Sequence, residues 1–187
     1  MSRGLGESAP HPGAVEIAAR ASPRIRHAEP GDAAELVALL NAVGAEPEGW
    51  LLSDPSQRSV GAERRYVRSV RRHADAALLV AELDGRIVGR LSLARDPHPS
   101  SAHVADFGLT VAAGHRRRGI GTALLAAADE WARSSGIRKL ELHVFPHNEA
   151  AIGLYEKAGY AREGYRTAHY RIPDGRLVDV ILMAKLL

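Results

Sequence analysis

Residues 111–122 read Val-Ala-Ala-Gly-His-Arg-Arg-Arg-Gly-Ile-Gly-Thr, and this stretch decides the fold. The pattern predicts that a strand ends near Val111 and that a helix begins near Gly119, with a basic, glycine-containing turn between them. Such a turn directs several backbone N–H groups toward one point, and the amino end of the helix adds partial positive charge. The stretch therefore predicts a cradle for a phosphate or pyrophosphate group.

The two glycines of this turn narrow the choice of phosphate loop. We expect Gly119 and Gly121 to let the backbone approach a ligand closely, because a Cβ atom would intrude. A Walker loop needs Lys and then Ser or Thr after its second glycine, where this chain has Ile120-Gly121. The dinucleotide fingerprint needs glycine at Leu124. Neither of these phosphate-loop patterns fits, and the pattern present is Arg-x-x-Gly-x-Gly starting at Arg116. An alternative interpretation is an ordinary helix start beside a basic surface cluster.

A second motif occupies residues 148–160 and reads Asn-Glu-Ala-Ala-Ile-Gly-Leu-Tyr-Glu-Lys-Ala-Gly-Tyr. Each part has a structural explanation, since Asn148 can cap a helix and Tyr155 can be a core aromatic on a helix face. The motif follows a predicted helix at 119–135 and a predicted strand at 139–145. The two motifs therefore occur in order, one strand apart.

Together these motifs resemble the GCN5-related N-acetyltransferases (GNAT), whose acetyl-CoA loop reads Gln/Arg-x-x-Gly-x-Gly/Ala. The family's other signature reads Asn-x-x-Ala-x-x-Leu-Tyr-x-x-x-Gly-Phe/Tyr. The resemblance covers roughly residues 24–187, and residues 162–183 are similar to the branch of phosphinothricin, L-amino-acid and polyamine acetyltransferases. It implies direct transfer of the acetyl group of acetyl-CoA to a primary amine of a small molecule, such as an amino acid, a polyamine or an amino-bearing antibiotic or metabolite.

Hydrophobic periodicity and turn residues predict an α/β fold in a single domain at 23–187, after a disordered tail at 1–22. The resemblance implies a more specific fold, a GNAT-type α/β sandwich with a mixed, mostly antiparallel sheet of about seven strands and about four helices. The predicted strands are 24–28, 77–83, 86–95, 103–111, 139–145, 160–171 and 177–186. The first predicted helix begins at 30–32, and the other three cover 59–73, 119–135 and 149–158.

Composition excludes several classes of function. The chain has 187 residues, 45% of them hydrophobic, and no cysteine, so disulfides, cysteine-bound zinc, iron–sulfur clusters and a cysteine nucleophile are excluded. No run approaches the roughly 18 apolar residues of a membrane span. Together with the resemblance, these absences lead us to expect a cytoplasmic enzyme that needs no metal and no membrane. A homodimer is one of the oligomeric states left open.

Arginine supplies all but three of the 25 basic residues, and the net charge is +3. In the predicted helix 59–73, Arg64, Arg68 and Arg72 share one face. We expect this face to be solvated, with a nucleic-acid or phosphate patch as the alternative. A charge of +3 is too small to indicate nucleic acid by itself.

The resemblance implies a set of residues that bind acetyl-CoA. Backbone groups of Leu109 and Val111 would hold the pantetheine arm and the thioester oxygen, on a strand splayed from its neighbour by a bulge. The pyrophosphate would lie on the N–H groups of the turn, Asn148 would bond the pantetheine, and Tyr155 would donate a proton to the leaving thiolate. The full set is Leu109, Val111, Arg116, Arg117, Arg118, Gly119, Ile120, Gly121, Thr122, Asn148 and Tyr155.

The general base has three candidates. Many relatives place a glutamate at the position of His143, and others place one at a position matched by Asp106. Glu141 shares a strand face with His143 by period two. His143, with an unperturbed pKa of about 6.5, could act directly, whereas Asp106 or Glu141 would act through water. In the alternative, all three are polar sheet residues and solvent deprotonates the amine.

The acceptor is expected between the loop at 44–57 and the last hairpin. Glu46, Glu48 and Asp54 could hold an ammonium there, and Trp50 could pack on its stem, although a plain solvent loop fits equally well. Three other functions stay open: acetylation of a protein N-terminus or lysine, a non-catalytic acetyl-CoA sensor, and nucleic-acid binding through helix 59–73.

Overall fold

The computed structural model describes residues 22–51, 58–172 and 175–187. The predicted tail, apart from its last residue, and Asp54 lie outside these ranges. The strands are β1 (Arg24–His27), β2 (Ala76–Leu83), β3 (Arg86–Arg95), β4 (Val104–Val111), β5 (Lys139–Val144), β6 (Ala161–Arg171) and β7 (Leu177–Leu186). The helices are α1 (Ala33–Gly44), α2 (Val60–Val70), α3 (Ile120–Ser134) and α4 (Glu149–Lys157).

The seven strands form one sheet in the order β1-β2-β3-β4-β5-β7-β6. Every neighbouring pair is antiparallel except β4 and β5, which are parallel. Parallel neighbours need a crossover connection, and α3 provides it. The predicted mixed, mostly antiparallel sheet is confirmed, as are the four helices.

Apolar side chains form one buried layer on each face of the sheet. Because side chains alternate along a strand, Leu79 of β2 joins the layer beneath α3 and α4, whereas Val80 joins the layer beneath α1 and α2. The layer beneath α3 includes Ile120, Leu124 and Leu125 of that helix, and Trp131 is partly buried against it. In the described ranges, no helix is long and apolar enough to cross a membrane.

Strands β4 and β5 separate after three paired positions. Their pairing ends at Asp106 and Glu141, although β4 continues to Val111 and β5 to Val144. Beyond that point β4 follows β3 and β5 follows β7, each in an unbroken register. The splay was correctly predicted, but the predicted bulge is wrong, because no extra residue interrupts the register of β4 with β3.

Candidate active site

The gap between β4 and β5 exposes unpaired backbone groups. Asp96 N–H donates to Val104 O and Ala112 N–H donates to Val88 O, at 2.9 Å each, so the even-numbered residues of β4 bond to β3. In an antiparallel pair the intervening residues direct their N–H and C=O groups the other way. Leu109 and Val111 therefore present these groups to the widening gap, where the resemblance implied that they would hold the cofactor.

A cavity of about 980 Å³ occupies this gap. Its volume lies in the range of small-molecule and cofactor sites. Most of the sequence-predicted site residues line it: Leu109, Val111, Arg116, Arg117, Gly119, Ile120, Gly121, Thr122, His143, Asn148 and Tyr155. Arg118, Asp106 and Glu141 do not line it.

The turn at one end of the cavity has the geometry of an anion cradle. Arg117 has φ +59° and Gly119 has φ +79°, both in the left-handed region, so the backbone curls tightly before α3. The first backbone bond of α3 runs from Ala123 N–H to Gly119 O, at 3.0 Å. The N–H groups of the preceding helix residues, Ile120 to Thr122, have no acceptor within the helix.

The two glycines of the turn serve different purposes. A Cβ on Gly119 would meet nothing within 4 Å, and its positive φ is what favours glycine. A Cβ on Gly121 would lie 2.7 Å from Leu154 Cδ2 of α4. Gly121 therefore lets α3 pack closely against Leu154 of α4, and its expected role in ligand approach stays a prediction.

Arg116 is engaged by another part of the chain. Its Nη1 and Nη2 donate to the two carboxylate oxygens of Glu46 at 2.7 and 2.6 Å, and its Nε donates to Val111 O at 3.1 Å. Trp50 Nε1 also donates to Glu46 Oε2, at 2.7 Å. Arg116 therefore anchors the loop after α1 to the turn, and three of its five N–H donors are used in these contacts. Glu46, expected to hold an ammonium, is neutralised by the same pair.

The rest of the expected ammonium site is incomplete. Glu48 contributes its backbone carbonyl, which lies 3.2 Å from His147 Nε2, while its side chain is exposed. Trp50 lines the cavity and stacks on His147 with 5.6 Å between ring centroids. Asp54 lies outside the described residues. Of the described members of this set, Trp50 lines the cavity, whereas Glu46 and Glu48 do not.

Tyr155 lies in the wall of the cavity among aromatic rings. Its ring centroid lies 5.9 Å from that of Phe107 and 6.0 Å from that of Tyr160, both edge-on. Burial raises the pKa of its hydroxyl above the ordinary value, so the group is protonated throughout the physiological range. Within the described residues this hydroxyl makes no hydrogen bond, which leaves its proton available to a ligand.

Asn148 caps α4, as one of its two explanations predicted. Its Oδ1 accepts from Ala151 N–H at 3.2 Å, which satisfies one of the free donors at the helix start. The side-chain NH₂ remains as a donor beside the cavity. The cap and the implied contact with pantetheine are therefore compatible, because they use different atoms.

His143 stands apart from the other two base candidates. Its Nδ1 lies 2.7 Å from Tyr170 Oη, and its Nε2 is buried without a partner among the described residues. Burial lowers the pKa of the ring, and the charge of Arg166 and the ring of His169 lower it further. His143 is therefore neutral near pH 7 and able to accept a proton.

Asp106 and Glu141 lie where β4 and β5 begin to separate. Burial and the charge of Glu141 raise the pKa of Asp106. Glu141 Oε2 lies 3.5 Å from Lys139 Nζ, so it is held by a cation on its own strand. Neither carboxylate lines the cavity, in contrast to His143.

Comparison with known proteins identifies the family. Residues 44–160 match the acetyltransferase (GNAT) family, which is more than half of the chain. The chain belongs to this family. The match confirms the resemblance that the two motifs carried.

Relatives within the GNAT family include the L-amino acid N-acetyltransferase AaaT of Escherichia coli, 37% identical over 112 residues, which are 58% of this chain and 67% of that protein. The N-acetyltransferase YycN of Bacillus subtilis is 49% identical over 76 residues, which are 40% of this chain and 47%, about half, of that protein. A GNAT acetyltransferase of Streptococcus pneumoniae aligns with a TM-score of 0.80 at 34% identity, over 88% of this chain and 99% of that one. At this similarity the chain is an N-acetyltransferase of the GNAT family that uses acetyl-CoA.

This GNAT chain also holds a buried ion cluster that sequence reasoning missed. Glu63 of α2 is 1% exposed. Its Oε2 accepts from Arg58 Nη1 at 3.0 Å, and its Oε1 accepts from Arg90 Nη1 of β3 at 3.4 Å. Arg58 and Arg90 both line the cavity.

A sequence signal for this cluster exists. Glu63, Val67 and Val70 have helical spacing and form the buried face of α2, so a carboxylate occupies an otherwise apolar stripe. Arg90 interrupts the apolar run of β3 between Gly89 and Leu91. A charge in each of two buried patterns indicates an internal pair. By contrast Arg64, Arg68 and Arg72 are exposed, as predicted.

Proposed function

We propose that the chain transfers the acetyl group of acetyl-CoA directly to the primary amine of a small molecule. The observation that carries the proposal is the gap between β4 and β5. It presents the backbone groups of Leu109 and the N–H of Val111, begins at the anion cradle before α3, and has Tyr155 in its wall. One cavity thus joins a phosphate site, a place for an extended thioester arm and a proton donor.

The residues of the cavity suit acetyl-CoA. The N–H groups from Arg117 to Thr122 would hold its pyrophosphate, because they are free donors at a helix start. Backbone groups of Leu109 and Val111 and the amide NH₂ of Asn148 would hold the pantetheine arm. When bound, acetyl-CoA supplies an acetyl thioester that an amine can attack.

Tyr155 would act as the general acid. Its apolar surroundings keep the hydroxyl protonated, and no described residue competes for the proton. As negative charge grows on the leaving sulfur, a hydrogen bond from Tyr155 strengthens and stabilises that charge more than it stabilises the bound substrates. Since the chain has no cysteine, a cysteine-bound acetyl group is excluded, which favours direct transfer.

His143 would act as the general base. Its lowered pKa keeps the ring neutral near pH 7, and it lines the cavity, so it can take the proton of the incoming ammonium. The tautomer that donates from Nδ1 to Tyr170 Oη leaves the lone pair of Nε2 for this proton. Asp106 and Glu141 remain alternatives that would act through water.

A second candidate function is acetylation of a protein N-terminus. A ribosomal-protein-alanine N-acetyltransferase of Brucella melitensis is 28% identical in sequence and aligns with a TM-score of 0.77, over 88% of this chain and 99% of that one. Such a function predicts higher activity on peptides than on free amines. A non-catalytic sensor is disfavoured by Tyr155, which a sensor would not need.

Acetyl-CoA-dependent release of thiol tests the proposal. The acceptor panel contains free amino acids, polyamines, aminoglycosides and peptides with different first residues. We expect turnover with at least one class of small amine and little with peptides. Turnover with peptides alone would favour the second candidate, and no release with any acceptor would contradict both. Location in the cytoplasm and assembly as a homodimer stay predictions.

A further inference from the structure

Arg90 is a buried cation with spare hydrogen-bond donors. Its side chain is 8% exposed, and it lines the cavity. To the described part of the chain it makes one hydrogen bond, from Nη1 to Glu63 Oε1 at 3.4 Å. A guanidinium carries five N–H donors. Most of its donors, including those on Nε and Nη2, therefore have no acceptor among the described residues.

The charges around Arg90 do not balance. Glu63 is shared between Arg90 and Arg58, so two guanidinium groups face one carboxylate. Among the described residues that line the cavity, the only other carboxylate is that of Glu149, at the first residue of α4. Burial lowers the pKa of Arg90 and Glu63 opposes this, yet a guanidinium stays charged in proteins. The cluster carries one excess positive charge, and an anion in the cavity would balance it.

Arg90 lies close to the place where the acetyl group would react. In the register of β3 with β4 it is directly opposite Thr110, which lies between Leu109 and Val111. Directly opposite residues have their side chains on the same face of the sheet. This face carries α1 and α2, because Arg90 is also opposite Val80, whose side chain packs there. The guanidinium thus stands on the side of the sheet away from α3 and α4, beside the backbone expected to hold the thioester.

We propose that Arg90 binds the carboxylate of the acceptor, and that the acceptor is therefore a free α-amino acid. In an α-amino acid one carbon separates the amine from the carboxylate, so a cation that binds the carboxylate must lie near the reacting amine. The planar guanidinium matches a carboxylate with two parallel hydrogen bonds. Glu63 is a positioning residue, because it bonds Arg90, and Arg58 acts only through its ion pair with Glu63. This inference rests on the proposed function and names its substrate class.

The carboxylate requirement separates the acceptor classes. A polyamine or an aminoglycoside carries no carboxylate and adds positive charge beside Arg58 and Arg90. A protein N-terminus presents a neutral amide where a free amino acid has its carboxylate. Both would leave the guanidinium of Arg90 without its anion, which is costly for a buried charge.

The test compares each amino acid with its α-amide and with its decarboxylated amine. We expect the wild-type kcat/KM to be about 10- to 100-fold higher for the acids, the value of one hydrogen bond to a charged group. In Arg90→Gln this preference should disappear, because the KM rises for the acids and not for the amides. Arg68→Gln is the matched control, because Arg68 is exposed on α2 and loses the same charge.

Two further measurements guard against misfolding and against failure of the proposed function. If Arg90→Gln does not fold, Arg90→Lys keeps the charge and removes the fork, and it should also narrow the acid-to-amide ratio. Free amino acids should raise the Tm of the wild type in the presence of CoA, but not that of the Arg90 variant. Equal use of acids and amides by the wild type, or an unchanged ratio in the variant that folds, would overturn the inference. If no amine is acetylated at all, the proposed function fails, and the Tm shifts alone decide whether Arg90 binds carboxylates.

Discussion

The two ends of the cavity are built in different ways. The cofactor end, from β4 through α3 and β5 to α4, comes from one continuous stretch of about 50 residues. The acceptor end comes from separate parts of the chain: Glu63 of α2 and Arg90 of β3 are 27 residues apart. Contiguous sequence motifs encode the cofactor end, whereas the acceptor end forms only when the sheet and its helices pack together.

The difference suggests separate chemical tasks. The cofactor end offers backbone donors and one buried phenol, which suit a phosphate-bearing thioester of fixed chemistry. The acceptor end offers charged side chains whose position depends on packing, and these can select one amine among many. The pair of Arg116 and Glu46 joins the two ends. The predictions below test this division, from the largest expected effect to the smallest.

Removal of the Tyr155 hydroxyl should affect turnover most. Tyr155→Phe should lower kcat by about 100-fold or more, because general acid catalysis is lost, and should change the KM for acetyl-CoA little. Steady-state kinetics measure both. Tyr160→Phe is the control, since Tyr160 is buried in the same cluster and its hydroxyl has no partner in the described structure. If the two variants lower kcat equally, Tyr155 is not the general acid.

The second prediction concerns pH. If His143 is the base, its protonation at low pH stops the reaction, so kcat/KM should rise with pH through a pKa below the ordinary histidine value of about 6.5. His143→Ala should lose this rise and about 100-fold in rate at neutral pH. The comparison variant is Asp106→Ala, which should retain the rise. A profile that both variants leave unchanged would assign deprotonation of the amine to solvent.

The third prediction compares the effect on stability of adding a methyl group at two glycines of the cofactor end. Gly121→Ala should lower the free energy of unfolding by about 1–3 kcal/mol, because its Cβ would press on Leu154. Gly114→Ala, in the same segment, meets nothing within 4 Å and should change it by less than about 0.5 kcal/mol. Denaturant titration measures both. Equal stabilities would show that α3 and α4 can shift apart freely.

The smallest expected effect is the coupling between the two ends. Arg116→Ala and Glu46→Ala should each raise the KM for acetyl-CoA and the KM for the acceptor. The double variant should show a coupling of about 1 kcal/mol, because the pair is bidentate but partly exposed. Additive effects would mean that the ends of the cavity act independently.

Local patterns predicted the secondary structure of the described chain well, for identifiable reasons. Asp84 and Gly85, both at positive φ, form the turn between the strands predicted at 77–83 and 86–95, and few residues tolerate that backbone. The turn at 116–119 and the cap at Asn148 were visible because each is encoded within a few residues. The direction of the Leu109 and Val111 backbone groups was expected only by resemblance, and the β3–β4 hydrogen bonds supplied its basis.

Long-range contacts were not predictable from the sequence. Arg116 was assigned to a phosphate because nothing local shows that Glu46 reaches it from 70 residues away. The prediction of a bulge was wrong, because β4 and β5 separate by pairing with their outer neighbours, β3 and β7. Glu63 and Arg90 each interrupt an apolar pattern in the sequence, which indicates a buried charge at each position. Only the packing of α2 against the sheet brings the two side chains together.

The most direct test of direct transfer in this cavity follows the acetyl group itself. Acetyl-CoA with a labelled acetyl group is incubated with the purified chain, first alone and then with the best acceptor of the panel. The account predicts that no label becomes covalently attached to the protein in the first step. In the second step the label should pass to the N-acetylated acceptor, about 100-fold more slowly with Tyr155→Phe. Stable labelling of the protein without acceptor, or an equally fast second step with Tyr155→Phe, would contradict it.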